Sequence, residues 1–194
     1  MTRIISGLAG GRRIHTPPGS GTRPTSDRVR EALFSRLEHL DVVHHGKVLD
    51  LYAGSGALGL EAASRGATSV LLVESDWAAV AVVRRNITDL GLAGVSLRAD
   101  TVERALLAGP TADEGRFDLV LADPPYDVTE EALGDVLALL VTRGWLSDDA
   151  VLVVERSARS PEPRWPQGLD GVGERRYGET KMWFADFAGP PGVA

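Results

Sequence analysis

The chain has 194 residues, of which 43% are hydrophobic and 25% charged, as in an ordinary globular domain. It contains no cysteine, which excludes disulfides, thiolate zinc sites and cysteine nucleophiles and is consistent with a reducing cytoplasm, where we expect the protein to reside. No apolar run approaches the roughly 20 residues that cross a membrane, and the stretch after Arg3 does not resemble a signal peptide.

The net charge of −6 is unevenly distributed along the chain. Residues 1–36 carry seven arginines and two acidic residues, a net charge of +5, whereas the remaining residues carry −11. A basic segment on an acidic body suggests an anionic partner, and the planar guanidinium suits phosphates and base edges. Arginine is also the common cation elsewhere in the chain, with 19 Arg against two Lys, so its use is not special to this segment.

The first elements in chain order are a hairpin, a linker and a helix. Short stretches at 3–6 and 12–15, joined through glycines, predict the hairpin, and a Pro-, Gly- and Ser-rich stretch over 16–24 predicts the linker. Thr25 or Ser26 is placed to cap a helix that runs to about residue 40, with its apolar residues at helical spacing: Val29, Leu33, Leu37 and Leu40.

From residue 47 onward, apolar runs alternate with helical patterns. Strands are predicted over 48–51, 70–74, 95–99, 117–122 and 151–155, and helices over 57–65, 76–90, 101–107 and 129–141. This alternation predicts an α/β, Rossmann-like domain with a mostly parallel sheet and helices on both faces. Two last strands, near 171–177 and 180–187, complete a seven-stranded sheet with a C-terminal antiparallel hairpin.

We therefore divide the chain into three parts. Residues 1–22 form a basic hairpin arm with its linker, residues 23–187 form the main domain, and the Ala-, Gly- and Pro-rich residues 188–194 form a tail that we expect to be disordered.

Asp123-Pro124-Pro125-Tyr126 directly follows the predicted strand 117–122. Open α/β sheets bind their ligands outside the carboxyl ends of such strands. Neither proline has an N–H and each holds φ at about −65°, so the pair presents carbonyl acceptors rigidly while Tyr126 supplies a stacking face. Acceptors beside a flat face suit a planar ring with an exocyclic NH₂ group. The alternative is a plain strand-ending turn, because Asp and Pro are common in turns.

A glycine-rich loop, Asp50-Leu-Tyr-Ala-Gly-Ser-Gly-Ala-Leu-Gly59, joins the strand 48–51 to its helix. Gly54, Gly56 and Gly59 match the G-x-G-x-x-G pattern of dinucleotide sites, which is a weak signal on its own. Asp50 at the strand end and the Asp-Pro-Pro-Tyr segment favour a nucleoside-sulfonium ligand, because hydride transfer does not require that segment. A nicotinamide oxidoreductase is the alternative.

Two further carboxylates end neighbouring strands. Glu74 is placed to accept hydrogen bonds from both ribose hydroxyls, with a solvated strand end as the alternative. Asp100 is placed to accept from an adenine amino group, or else to cap the helix that begins at Thr101. The cofactor-binding residues that we expect are Asp50, Ala53, Gly54, Ser55, Gly56, Glu74, Ser75, Asp100, Thr101 and Asp123.

These segments resemble the class I S-adenosylmethionine-dependent methyltransferases, and more closely the RsmD family of 16S (small-subunit) rRNA guanine-N2 methyltransferases. The likeness spans residues 3–187. The glycine loop and Asp-Pro-Pro-Tyr are shared with other amino-methylating enzymes, including DNA adenine ones. More specific to this family is the block Arg23-Pro-Thr-Ser-Asp-Arg-Val-Arg-Glu-Ala-Leu-Phe34, and further matches are Arg3-Ile-Ile-Ser-Gly and Tyr177-Gly-Glu-Thr180.

The resemblance implies methyl transfer from S-adenosylmethionine to the exocyclic N2 of a guanine in 16S rRNA. The catalytic residues would be Asp123, Pro124, Pro125 and Tyr126, with the Asp123 carboxylate and the Pro124 carbonyl accepting the two N–H bonds of the amine. Adenine-N6 methylation of DNA and RNA binding without catalysis are the alternatives.

The expected partner is 16S rRNA within an assembling or assembled small subunit, bound by a monomer. The residues expected to contact RNA are arginines of the arm and the first helix: Arg3, Arg12, Arg13, Arg23, Arg28 and Arg30. We expect no metal, because His44-His45 reads as part of a loop, and we expect Asn86 on the surface of its helix.

Overall fold

The computed structural model describes residues 2–17 and 27–189 of the chain. The strands are β1 Thr2–Arg3, β2 Arg13–Ile14, β3 Lys47–Leu51, β4 Ser69–Glu74, β5 Val95–Ala99, β6 Phe117–Ala122, β7 Leu146–Ser157, β8 Leu169–Tyr177 and β9 Thr180–Phe187. The helices are α1 Asp27–His39, α2 Ala57–Ser64, α3 Trp77–Leu90, α4 Val102–Ala108 and α5 Glu130–Thr142. Each predicted helix and strand is present, and the largest difference in bounds is the start of β7, which lies at Leu146 rather than at 151.

Some predictions fall on residues outside the described ranges. These are the helix cap at Thr25 or Ser26, the RNA contact of Arg23, most of the linker and the tail from residue 190. None of the helices in the described ranges is both long and apolar enough to cross a membrane.

Seven strands form one sheet in the order β5-β4-β3-β6-β7-β9-β8. The first five are parallel to one another, and β9 runs antiparallel to both β7 and β8, which confirms the predicted sheet and its closing hairpin. The chain moves outward from β3 to β5 and then returns to the other side of β3 as β6. Where the order reverses in this way, the loops that leave β3 and β6 diverge and open a crevice for a ligand.

The strand residues alternate between two apolar clusters, one on each face of the sheet. Leu119 and Leu121 of β6 join the first cluster, with the apolar residues of α1, α2 and α3. Val120 and Ala122 join the second, with those of α4 and α5. Since both faces are covered by helices, the strands are apolar on both sides, as parallel strands in such a sheet are.

The N-terminal hairpin is fastened to α2 by a buried carboxylate. Glu61 is fully buried, and its side chain accepts the backbone N–H groups of Ile5 and Ser6 at 2.7 and 3.0 Å. Arg65, one turn later, donates its Nε to the same carboxylate at 2.7 Å. Ser64 adds three more hydrogen bonds to the hairpin. Its Oγ accepts the Ala9 N–H at 2.9 Å and donates to the Ser6 carbonyl at 2.5 Å, and its carbonyl accepts the Leu8 N–H at 2.8 Å. The arm is therefore part of the folded body.

Candidate functional site

A cleft of about 760 Å³ opens at the carboxyl ends of the central strands. Its described lining contains the whole Asp123–Tyr126 segment on one side and, on the other, residues of the glycine loop and the end of β4. The β8–β9 turn, Tyr177–Thr180, also lines it. The predicted cofactor residues found in this lining are Asp50, Ala53, Gly54, Ser55, Glu74, Ser75 and Asp123.

The glycine loop needs its glycines for two different reasons. Gly56 has φ of 80° and forms the N-cap of α2, a left-handed conformation that side chains disfavour. Gly59 lies where α2 crosses the sheet, and a Cβ there would stand 2.3 Å from Leu72 Cδ2 and 3.0 Å from Asp50 Oδ2. The loop can therefore turn sharply and hold the start of α2 close to the ends of β3 and β4.

Glu74 holds the glycine loop and the start of α3 together. Its Oε2 accepts the Gly54 N–H at 2.7 Å, and its Oε1 accepts those of Ser75 and Asp76, both at 2.8 Å. A carboxylate has about four acceptor positions. One position therefore remains, on Oε2, so in this arrangement Glu74 can accept one further hydrogen bond rather than the two expected from a ribose.

Asp50 lies beneath the loop with 1% of its surface exposed, and its Oδ2 accepts the Gly59 N–H at 2.8 Å. Burial raises its pKa to about 7, the Gly59 hydrogen bond opposes this shift, and the negative charge of Glu74 adds to it. The carboxyl is thus poised between its neutral and charged forms near neutral pH.

Asp123 stands just beyond β6, with its N–H directed to the Leu51 carbonyl at 3.4 Å. The pKa of its carboxyl is raised well above the usual value, first by desolvation and then by repulsion from Glu155 and Asp50, while Arg156 opposes the rise. The residue still has an exposed surface toward the cleft. Its desolvation therefore comes from the protein mass around the carboxylate rather than from complete enclosure.

The rest of the segment forms a fixed turn that leaves its aromatic ring accessible. Val128 donates its N–H to the Pro125 carbonyl at 3.1 Å, and Arg156 Nη2 donates to the Val128 carbonyl at 2.9 Å. Arg156 is also paired with Glu130 at 2.5 Å. Tyr126 is 76% exposed, so its ring offers a face to a planar ligand.

Several residues of the lining were not predicted as site residues, among them Glu155 and Tyr52, which carry titratable side chains. Glu155 follows the buried run Val151–Val154 on β7 just as Glu74 ends the buried run of β4, so the same strand-end signal could have found it. Tyr52 follows β3 with φ of 59°, and its buried hydroxyl is without a hydrogen-bond partner among the described residues. Its pKa is raised to about 12, mainly by burial. The sequence carries no signal for that conformation.

Three predicted cofactor residues lie outside the lining. Gly56 is the buried cap of α2. Asp100 accepts the Thr101 N–H at 2.8 Å and pairs with Arg104 at 3.3 Å, and the cap of α4 is Thr101 rather than Asp100. Contact of these residues with a cofactor stays a prediction.

The arginines expected to contact RNA differ in their surroundings. Arg13 and Arg28 are exposed, and Arg3 is exposed but paired with Asp27 at 2.9 Å. Arg12 is exposed, and its guanidinium donates to the Leu90 carbonyl at 2.8 Å and to the Asp89 carbonyl.

Arg30 is buried, where an exposed side chain was expected. It is 1% exposed, and its guanidinium donates to Thr2 Oγ1 at 3.1 Å, to the Arg3 carbonyl at 2.5 Å and to Asp27 Oδ1 at 3.1 Å. Burial lowers its pKa, and the carboxylates of Glu61 and Asp27 oppose this. The guanidinium therefore joins the arm to α1 instead of standing on an exposed helix face as expected, and its contact with RNA stays a prediction.

Asn86 is also buried, where an exposed residue was expected. Its Nδ2 donates to the carbonyls of His15 and Ser55 at 3.0 and 2.9 Å, and its Oδ1 accepts the His15 N–H at 2.8 Å. The side chain thus connects the end of the arm to the glycine loop.

Residues 2–186 match a family model described as "Conserved hypothetical protein 95". Ribosomal RNA small subunit methyltransferase D of Escherichia coli strain K12 is 37% identical over 84% of this chain and 79% of its own length. The protein of that name from Haemophilus influenzae is 34% identical over 82% and 80%. The solved structure of yhhF from Escherichia coli superposes with a TM-score of 0.82 at 32% identity, covering 97% of this chain and 98% of that one.

Proposed function

Because the chain belongs to the family of ribosomal RNA small subunit methyltransferase D, we propose that it transfers a methyl group from S-adenosylmethionine to the exocyclic N2 of a guanine in 16S rRNA. The observation that carries this proposal is the meeting of the glycine loop and the Asp-Pro-Pro-Tyr segment in one cleft. The first is suited to a nucleoside and the second to a planar amine.

The charge of the cleft favours a cationic cofactor over a dinucleotide. Six carboxylates line it, against the single cation Arg30 among the described lining: Asp50, Glu74, Asp76, Asp123, Glu155 and Glu179. Such a site repels a pyrophosphate and attracts a sulfonium and an ammonium group. This argues against the nicotinamide oxidoreductase alternative.

S-adenosylmethionine, when bound, supplies a methyl group activated by a positively charged sulfur. Glu74 would accept a ribose hydroxyl through its remaining acceptor position, and the backbone of Ala53–Ser55 would line the adenosyl and methionyl parts. Asp50 and Asp123 would face the positive end of the ligand. A nearby cation favours the charged carboxylate, so binding would lower the raised pKa of both groups.

The target amine would be held by the Asp-Pro-Pro-Tyr segment. The Asp123 carboxylate and the Pro124 carbonyl would accept its two N–H bonds and aim the nitrogen lone pair at the methyl carbon, while Tyr126 stacks on the base. The cofactor would supply the methyl group to this lone pair and leave as a neutral thioether, and the target nitrogen would give up one proton. Asp123, in the lining of the cleft, is placed to receive that proton. The base must leave its stack to enter this site.

The RNA would be bound by exposed arginines at the rim of the domain, Arg13 and Arg28 first, with Arg3, Arg12 and Arg23 as further candidates. We propose that the enzyme acts as a cytoplasmic monomer on rRNA in an assembling or assembled small subunit.

A pair of variants tests the proposal. Asp123→Asn keeps the shape of the side chain and removes its charge, so we expect transfer of labelled methyl to rRNA to fall at least about 100-fold, while S-adenosylhomocysteine affinity by calorimetry stays within a few-fold. Glu74→Ala should show the converse, a cofactor affinity weakened by roughly 1–3 kcal/mol.

Near wild-type methylation by Asp123→Asn would remove this residue from the chemistry. Thermal stabilisation of the wild-type protein by NAD but not by S-adenosylhomocysteine would overturn the proposed cofactor.

A further inference from the structure

We propose that Glu155 makes this site specific for guanine over adenine by accepting the ring N1–H, beside Asp123, which accepts the exocyclic amine. The inference rests on the proposed function and names the residue that sets its substrate class.

The register of the sheet places the two carboxylates side by side. β6 and β7 pair in parallel, with Leu121 opposite Val153 and Ala122 opposite Val154. The next residues are Asp123, just beyond the end of β6, and Glu155, still within β7. Leu121 and Val153 face the first apolar cluster and Ala122 and Val154 the second, so strand alternation directs both carboxylates to the face of α1 and the cleft.

Two observations place the Glu155 side chain in the same space as Asp123. Both residues line the cleft, and the charge of Glu155 is the largest electrostatic cause of the raised pKa of Asp123. Each carboxylate has about four acceptor positions, so a ligand with two neighbouring N–H groups can donate one hydrogen bond to each of them.

The purine bases differ in what they offer to such a pair. On its Watson–Crick edge guanine carries N1–H next to the exocyclic amine, which makes two adjacent donors. Adenine carries its amine next to an unprotonated N1, which is an acceptor. A carboxylate opposite that N1 would leave two buried acceptors facing one another, and a site built to receive an N–H rejects an analogue that lacks it. The pair therefore favours guanine by attraction and disfavours adenine by repulsion.

The remaining wall of the cleft fits a base held in this orientation. Tyr126 lies on the same loop as Asp123 and is exposed, while Tyr177 and Thr180 of the β8–β9 turn line the cleft from the next strand pair. Glu155 pairs with Met182 on β9, which fixes its backbone between the Asp-Pro-Pro-Tyr segment and the β8–β9 turn.

The test uses Glu155→Gln and two forms of the RNA substrate, after the modified nucleotide has been mapped with the wild-type enzyme. One RNA carries guanine at that nucleotide, and the other carries 2-aminopurine, which keeps the exocyclic amine but has an acceptor at N1. We expect the wild-type enzyme to prefer guanine at least about 100-fold in kcat/KM. Glu155→Gln should lose at least about 10-fold on guanine and gain on 2-aminopurine, because an amide can donate to the unprotonated N1 that the carboxylate repels.

A second readout separates base selection from a structural role. Asp123 is faced by Glu155 and Arg156 of β7 and by Asp50 of β3. Removal of the Glu155 charge should lower the pKa of Asp123, so the acid limb of the kcat/KM profile with guanine RNA should move to lower pH. Glu131→Gln, an exposed change in the first turn of α5, is the matched control and should alter neither readout.

Equal losses on the two RNAs, or an unchanged preference for guanine, would overturn the inference while leaving the proposed function standing. Failure of the wild-type enzyme to methylate any guanine at the mapping step, in free rRNA or in small subunits, would overturn the proposed function itself. If Glu155→Gln does not bind S-adenosylhomocysteine, Glu155→Asp replaces it, and it should weaken the preference for guanine while keeping the charge. An unchanged preference in that variant also overturns the inference.

Discussion

Asp50 makes the stability of the domain depend on pH. Its pKa is raised to about 7 by burial, whereas in the unfolded chain it is close to the usual value near 4. Between about pH 4 and pH 7 the folded protein therefore keeps a proton on Asp50 that the unfolded chain has lost. The contribution of this proton to the free energy of unfolding is greatest below about pH 4 and declines as pH rises to about 7. We expect Asp50→Asn to remove this decline and to be more stable than the wild type at pH 8, by up to about 4 kcal/mol.

Urea unfolding of both proteins between pH 4 and pH 8 measures the effect. The difference in unfolding free energy between variant and wild type should grow with pH across this range. Two parallel curves would show that Asp50 is charged in the folded protein throughout.

The residues that the sequence could predict are those at strand ends. Asp50, Glu74 and Asp123 each follow an apolar run, and the carboxyl ends of parallel strands share one edge of the sheet, so their meeting follows from the strand pattern alone. Glu155 obeys the same rule.

The burial of Arg30 and Asn86 could not be predicted from residue type, because polar side chains are usually exposed. Arg30 lies on the same face of α1 as the buried Leu33, Phe34 and Leu37, because the four follow the spacing i, i+3, i+4 and i+7. Its position on the helix therefore indicated burial, while its charge indicated exposure. Whether such a side chain is buried depends on hydrogen-bond partners that lie far away in the sequence.

At the scale of elements, the N-terminal hairpin offers a matched pair of glycines. Gly7 and Gly11 both have φ of 81°, but a Cβ on Gly7 would lie 1.9 Å from the Ser64 carbonyl oxygen, whereas one on Gly11 meets nothing within 4 Å. We expect Gly11→Ala to lose roughly 1–2 kcal/mol for its backbone conformation alone. Gly7→Ala should lose roughly 1–3 kcal/mol more, because the hairpin must move off α2.

The two unfolding free energies from chemical denaturation measure this difference. Equal losses in the two variants would mean that the hairpin is not packed against α2 in solution.

The elements themselves followed from apolar periodicity, with one informative exception. β7 begins at Leu146, five residues before the predicted start, although Ser147, Asp148 and Asp149 are polar. The extension is held by non-local contacts, such as the hydrogen bond from Ser147 Oγ to Asp118 Oδ1 at 2.6 Å. A local pattern cannot predict pairing that depends on a neighbouring strand.

At the scale of the whole molecule, the separation of charge predicts how RNA binding responds to salt. We expect the double variant Arg13→Glu, Arg28→Glu to bind rRNA at least about 10-fold more weakly at low salt and to reduce the slope of log affinity against log salt by about 2. Arg116→Glu is the matched control, since Arg116 is exposed just before β6, at the edge of the sheet opposite the cleft. Filter binding over a salt series measures both quantities.

An unchanged slope in the double variant would place the RNA elsewhere on the surface. A similar loss in Arg116→Glu would show that binding follows net charge alone.

The buried Glu61 has a consequence for any shortened form of this protein. Cutting away the first 15 residues would remove the Ile5 and Ser6 amides that Glu61 binds, and would expose this carboxylate together with the apolar surface that Ile4 and Ile14 now cover. A fragment of that kind would lose affinity for every ligand because it is poorly folded. The basic N-terminal segment is thus required for the folding of the domain. Its contribution to RNA binding can be measured only by replacing single exposed charged residues in the intact chain.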